Sequence, residues 1–182
     1  MNFNRIMHTL KAGIGVFAIS AVFAASAAAC DYPAGEQVFA DYGDPRAYVL
    51  VPGGDFADGA GWTLEGDAAV ASGALSLPAG SSAVSPSLCI SDETPFFRAM
   101  VRDSGVAGSR LQVEILYEEL GIVRSRVVGS DRQGDWDATQ PLAQNFGLAT
   151  LGGADSSVQI RITAVGGTWK VDDVYIDPFA RR

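Results

Sequence analysis

GGDFADGAGWTLEGDAAVASGALSL, from Gly53 to Leu77, places an entry turn, an aromatic pair and three short extended runs in succession with almost no spacer. Gly53-Gly54-Asp55 and Asp58-Gly59 supply turn chemistry. Phe56 and Trp62 are large apolar anchors on either side of a Gly-rich bend. Beyond Trp62 the runs Trp62 to Glu65, Ala68 to Ala71 and Ala74 to Leu77 are separated by two-residue breaks, Gly66-Asp67 and Ser72-Gly73. That spacing predicts tight hairpins.

Outward from this stretch the chain keeps reading as strands. Ala47 to Val51 is the expected first core strand, after a loop-like segment from Asp31 to Pro45. Leu88 to Ile90 places Cys89 on or beside a strand. In Leu111 to Tyr117, Leu111, Val113, Ile115 and Tyr117 alternate with Gln112 and Glu114, and Val158 to Ala164 repeats the pattern. Period-two alternation is the mark of a half-buried strand. Phe96 to Arg102 and Ile122 to Val128 read as further strands joined by hairpin-sized connections, and Trp136 leads towards Pro141 as an edge strand would. Leu142 to Leu151 is expected to be a short helix or an apolar loop. In the final strand, Thr168 to Ile176, the spacing puts Trp169, Val171, Asp173 and Tyr175 on one face, which makes Asp173 the buried-acid candidate, either a calcium ligand or a structural acid accepting backbone N–H bonds. Many short antiparallel strands with Gly-rich turns predict an all-β antiparallel β-sandwich.

The segment 1–29 has a basic start, an apolar centre and Ala27-Ala28-Ala29, the pattern of a cleaved signal peptide. Residues 30–182 are then expected to form a single domain, with 30–46 wrapping around it. The competing reading anchors the chain by a lipid on Cys30. Cys30 and Cys89 are the only cysteines. An even count in an oxidising compartment predicts that they pair. The chain has 13 basic and 21 acidic residues, and the leader takes Arg5 and Lys11 but no acid. Such an acidic surface disfavours nucleic acid, whose phosphates require Lys or Arg. No stretch after the leader is long and apolar enough to span a bilayer.

Catalysis is narrowed by subtraction. The only His, His8, lies in the leader. Ser-His-Asp and Cys-His systems and His-ligated zinc are therefore not expected. Lys170 is the one lysine after the leader and reads as a solvated strand residue. No Gly-rich segment matches a phosphate-binding loop. Carboxylate chemistry remains, with Asp92, Glu93, Asp135 and Asp137 as candidates for a glycosidase pair, although solvated loop acids are the ordinary expectation. Trp62, Trp136 and Trp169 are candidate sugar platforms or core packing. Arg124 and Arg126 share one side of a strand and are suited to gripping a carboxylate or to salt bridging.

The run Gly54-Asp55-Phe56-Ala57-Asp58-Gly59-Ala60-Gly61-Trp62-Thr63, with Val171-Asp172-Asp173-Val174, resembles the opening and closing strands of galactose-binding-like jelly rolls, a fold common in carbohydrate-binding modules. In those modules a Glu after the Phe often helps to hold a structural calcium. Ala57 stands at that position here, and Gly53 replaces the leading Asn. The resemblance thus implies a jelly-roll without the calcium ligand, and no metal or cofactor is expected. The runs from Tyr48 to Phe56 and Val171 to Phe179 also resemble a group of secreted bacterial proteins, a likeness that brings no function with it. The expected function is a secreted, non-catalytic binding module whose partner is a polysaccharide or a cell-envelope component. The alternatives are a structural or protein-interaction role in the envelope and a carboxylate-only glycosidase.

Overall fold

The computed structural model describes residues 30, 32–58, 61–90, 96–117, 123–128, 135–143 and 156–177. The leader, Asp92, Glu93 and most of 142–151 lie outside them, as do the side chains of Arg124 and Arg126. Thirteen strands are described: β1 (Val49–Leu50), β2 (Thr63–Glu65), β3 (Ala69–Ala71), β4 (Ala74–Leu77), β5 (Ser82–Val84), β6 (Leu88–Ile90), β7 (Phe96–Asp103), β8 (Arg110–Tyr117), β9 (Val123–Val128), β10 (Asp137–Ala138), β11 (Leu142–Ala143), β12 (Ser156–Val165) and β13 (Trp169–Asp177). They form two antiparallel sheets. Sheet I runs β10-β7-β13-β4-β3, with β1 also on β13 and β11 also on β7. Sheet II runs β2-β5-β12-β8-β9, with β6 also on β12. The chain passes repeatedly from one sheet to the other, as in a jelly-roll sandwich.

The alternation in β8 and β12 is explained by what lies between the sheets. Leu111, Val113, Ile115, Val158, Ile160, Ile162 and Ala164 from sheet II meet Leu75, Leu77, Phe97, Val101, Trp169, Val171 and Val174 from sheet I in one core. Phe56 and Trp62 close its end at 5.1 Å between ring centroids. Trp62 also donates through Nε1 to the Pro52 carbonyl at 3.1 Å. Trp62 and Trp169 are therefore core residues.

Two hairpin expectations are corrected. Ser72-Gly73 does turn β3 into β4, with φ of 55° and 72°. Gly66-Asp67 instead carries the chain across the sandwich, because β2 pairs with β5 in sheet II. The link from β7 to β8 is likewise a crossing between sheets, whereas β8 and β9 pair directly. Ser82 to Val84 is a strand that its sequence did not announce.

The placement of Asp173 is also corrected. Pairing of β13 with β7 slips between Asp172 and Tyr175, a β-bulge, and Asp173 there takes φ 49°. The extra residue reverses the alternation, so Val174 and Ile176 enter the core and Asp173 is left half-exposed. The Gly53-Gly54 turn seats on this bulge: the Val51 N–H donates to the Val174 carbonyl, and the Val174 N–H donates to that of Gly54, each at 2.9 Å. A Cβ on Gly54 would lie 2.7 Å from the Val174 oxygen, so only glycine fits.

The wrapping segment is fastened at both ends. Cys30 and Cys89 form a disulfide with Cα atoms 5.4 Å apart, which ties the segment to β6 of sheet II. The Tyr32 hydroxyl donates to the Cys89 carbonyl. Further on, the backbones of Glu36 and Tyr48 pair, and the intervening strap, with a short 3-10 turn at Ala40–Tyr42, lies over the outer face of sheet I. There Phe39, Tyr48 and Ala138 build a second, smaller core with Val38, Phe96, Met100 and Tyr175 against it.

Candidate functional site

The strap and the β7–β10 edge of sheet I enclose a cavity of about 850 Å³. Its floor is an ionic node. Arg98 sits in the apolar run Phe96 to Val101 and points away from the main core, so its cation needs a partner from the strap. Asp44 supplies it: Arg98 Nη1 lies 3.0 Å from Asp44 Oδ2, with side chains 3% and 5% exposed. Arg98 Nε donates to the Thr139 carbonyl at 2.8 Å, and its guanidinium lies 4.3 Å above the Phe39 ring centroid. Nη2 has no partner among the described residues, on a side chain that lines the cavity.

Asp44 is saturated. Tyr48 donates its hydroxyl to Oδ2 at 2.7 Å, and the Arg46 backbone N–H and Nη1 reach Oδ1 at 3.2 and 3.1 Å. Burial pushes this carboxyl up, but the Tyr48 hydroxyl, the Arg46 N–H and the two guanidinium charges outweigh it and hold the group below the usual aspartate range. Tyr48 is driven the other way, by burial and by the Asp44 hydrogen bond and charge. The node is thus a cation–anion pair that stays charged through the ordinary aspartate range.

The walls mix apolar and polar surface. Tyr42 (46% exposed), Pro45, Ala138 and Pro141 offer apolar faces, while Asp41, Arg46, Asp137 and Gln140 offer donors and acceptors. Trp136, 37% exposed, immediately precedes Asp137. Of the three tryptophans it alone stands at the surface. Sequence reading singled out Asp137 and Trp136 but missed Arg98, Asp44 and Tyr42. The available signal was an arginine inside an apolar strand, which requires an acid from elsewhere in the chain.

Other candidates do not converge here. Asp135 is exposed, and Lys170 lies exposed at the far end of sheet I. Asp173 belongs to neither apolar cluster, and its N–H is donated to Asp172 Oδ1 at 2.8 Å. Burial raises both Asp172 and Asp173, and the Asp55 charge adds to each. Ala57 contributes only its N–H, donated to Asp55 Oδ1 at 3.3 Å. No group of three or more His, Cys, Asp or Glu side chains suited to a metal occurs among the described residues. On the outer face of sheet II, Arg161 faces Glu114 at 3.9 Å and Gln159 donates to the Ser85 carbonyl at 3.0 Å, while Arg161 Nε is buried without a hydrogen-bond partner among the described residues. No helix among the described residues is long and apolar enough to cross a membrane.

No family model matches the chain, and no curated protein matches it. Solved structures do. The resemblance is one of fold. The CBM22-1 and GH10 modules of Clostridium thermocellum endo-1,4-beta-D-xylanase 10B, complexed with xylohexaose, align with a TM-score of 0.44 at 16% identity over 64% of this chain and 26% of that one. A family two carbohydrate esterase from Cellvibrio japonicus aligns with a TM-score of 0.39 at 10% identity over 71% and 32%. The family 11 carbohydrate-binding module of Lic26A-Cel5E, also from Clostridium thermocellum, aligns with a TM-score of 0.42 at 15% identity over 72% and 95%. The chain thus spans about a quarter of the first of these proteins and a third of the second.

Proposed function

We propose that the chain is a secreted, non-catalytic glycan-binding module and that the cavity beneath the strap holds the sugar. The observation that carries the reading is the lining itself: an exposed Tyr42 ring shares one cavity with donors on Arg46, Arg98 and Gln140 and with carboxylates on Asp41 and Asp137. A sugar ring presents weakly apolar C–H faces and a rim of hydroxyls that both donate and accept. It is met by an aromatic face flanked by fixed polar groups. The volume falls within the range of about 300–1,000 Å³ typical of small-ligand sites.

The same floor argues against hydrolysis. A glycosidase needs one carboxyl raised so that it donates a proton at working pH. The buried carboxyl of this cavity, Asp44, is held down instead, by one phenol and two arginines. The Cys30–Cys89 disulfide accords with an oxidising, extracytoplasmic setting.

A glycan array probed with the chain from Cys30 onward tests the proposal, followed by titration of any hit. Tyr42→Ala and Gln140→Ala are each expected to weaken binding at least about tenfold, equivalent to about 1.4 kcal/mol, with the circular dichroism spectrum unchanged. A blank array, or binding that survives both substitutions, overturns the assignment.

A further inference from the structure

The outer face of sheet I continues past the cavity to a smaller cleft of about 230 Å³ lined by Arg102, Asp103, Ser104, Thr168 and Lys170. Arg98 and Arg102 lie on the same side of β7, about 13 Å apart at roughly 3.3 Å per residue. Arg102 and Lys170 are direct cross-strand neighbours in the β7–β13 ladder. Like charges placed opposite one another in a sheet repel. In a chain with 21 acids and 13 bases, two bases facing each other with no acid between them are an anomaly.

The groups around them do not resolve it. Neither the Arg102 nor the Lys170 side chain has a hydrogen-bond or ion-pair partner among the described residues, and both residues are exposed. Asp103 turns to the opposite side of its strand, is buried, and accepts the Gly105 N–H at 3.0 Å. Asp172, two residues along β13 from Lys170, has Oδ1 on the Asp173 N–H. Ser104 accepts the Thr168 N–H at 3.2 Å through Oγ, which leaves its hydroxyl proton to donate. Thr168 adds a second hydroxyl. The outward groups of the cleft are thus a guanidinium, an ammonium and two hydroxyls: all can donate, and the two charged ones cannot accept.

We propose that this cleft binds an anionic group, the carboxylate, sulfate or phosphate of an acidic ligand, between Arg102 and Lys170. The planar fork of Arg102 takes two oxygens, the Lys170 ammonium supplies the second charge, and the Ser104 and Thr168 hydroxyls close the shell. The bound anion cancels the repulsion across the ladder. The site is independent of the sugar cavity; only carriage of both groups by one ligand rests on the glycan reading.

The test uses the chain from Cys30 onward at low, matched ionic strength, titrated with sodium sulfate, sodium phosphate or sodium galacturonate against sodium chloride. Amide shifts of residues 102–105 and 168–170 are the readout, and the three salts separate the possible sources of the anion. At least one is expected to give saturable shifts confined to this cleft. Arg102→Gln and Lys170→Gln are each expected to weaken that binding about tenfold, and the double variant to abolish it. Without added anion, either variant should melt at or above the wild-type temperature, because a repulsion has been removed. Shifts that do not saturate, that match those in chloride, or that persist in the double variant overturn the site. So does a lower melting temperature in the variants, which would reveal a structural partner. Arg102→Lys, which keeps the charge, should retain binding better than Arg102→Gln. A blank glycan array with saturable anion binding would defeat the sugar cavity and leave this cleft standing, and the converse result would do the reverse.

Discussion

Removing the Arg98 guanidinium would strand the Asp44 carboxylate under the strap with only Tyr48 and Arg46 to hold it. Breaking a buried ion pair from one side costs about 3–5 kcal/mol, so Arg98→Met should lower unfolding free energy by that order in a denaturant titration. Arg98→Lys should recover little, because a single ammonium does not reach Asp44 and the Thr139 carbonyl with the same planar fork. The two kinds of aspartate also predict opposite pH behaviour. Asp44 is depressed on folding, so its stabilisation is present above the ordinary aspartate range and lost as pH falls through the depressed value. Asp172 and Asp173 are raised, so stability linked to them is greatest at low pH and declines as pH rises through their raised values. Asp173→Asn should therefore raise the melting temperature near neutral pH and give no gain below the aspartate range. Asn also keeps the left-handed φ of 49° accessible, so the comparison isolates charge.

At the level of elements, the strap is held by the disulfide at one end and the ionic node at the other. The bond closes a separation of 59 residues, and on the loop-entropy model such a cross-link contributes about 4 kcal/mol. Reductant, or Cys89→Ser, should lower the unfolding free energy by about that much. Gly54→Ala should cost about 1–3 kcal/mol, because its methyl meets the carbonyls of Val174 and Val51 at 2.7 and 2.9 Å, backbone that cannot rotate aside. A matched Gly→Ala series followed by chemical denaturation checks this. These same elements show what a sequence makes legible. β8 and β12 were readable because one face of each enters a large core, which forces strict alternation. β2 was assigned to the wrong partner because a two-residue Gly-Asp break serves a hairpin and a crossing equally well. Asp173 was misplaced because one bulged residue inverts the period, and no local residue announces a bulge. Arg98 was missed because its partner Asp44 lies 54 positions away.

Across the whole molecule, no group of three or more acids among the described residues is arranged for a metal, and Ala57 offers only its N–H. A chelator should leave the melting temperature unchanged; a marked fall would show that the native state holds a cation. The position of β13 has a consequence in time. It is the centre of sheet I, flanked by β7 on one side and by β4 and β1 on the other, yet it follows every other described strand in the chain. Sheet II needs nothing beyond Val165, so an emerging chain can zip that half while β1, β4 and β7 still show open edges to solvent. Such edges invite wrong partners while they wait. A chain stopped before Trp169 should accordingly lose the cooperative melt and aggregate. In pulse-labelled refolding, the amides of β8 and β12 should gain protection before those of β4 and β7, and the sandwich should close last along β13, the latest of the described strands to emerge.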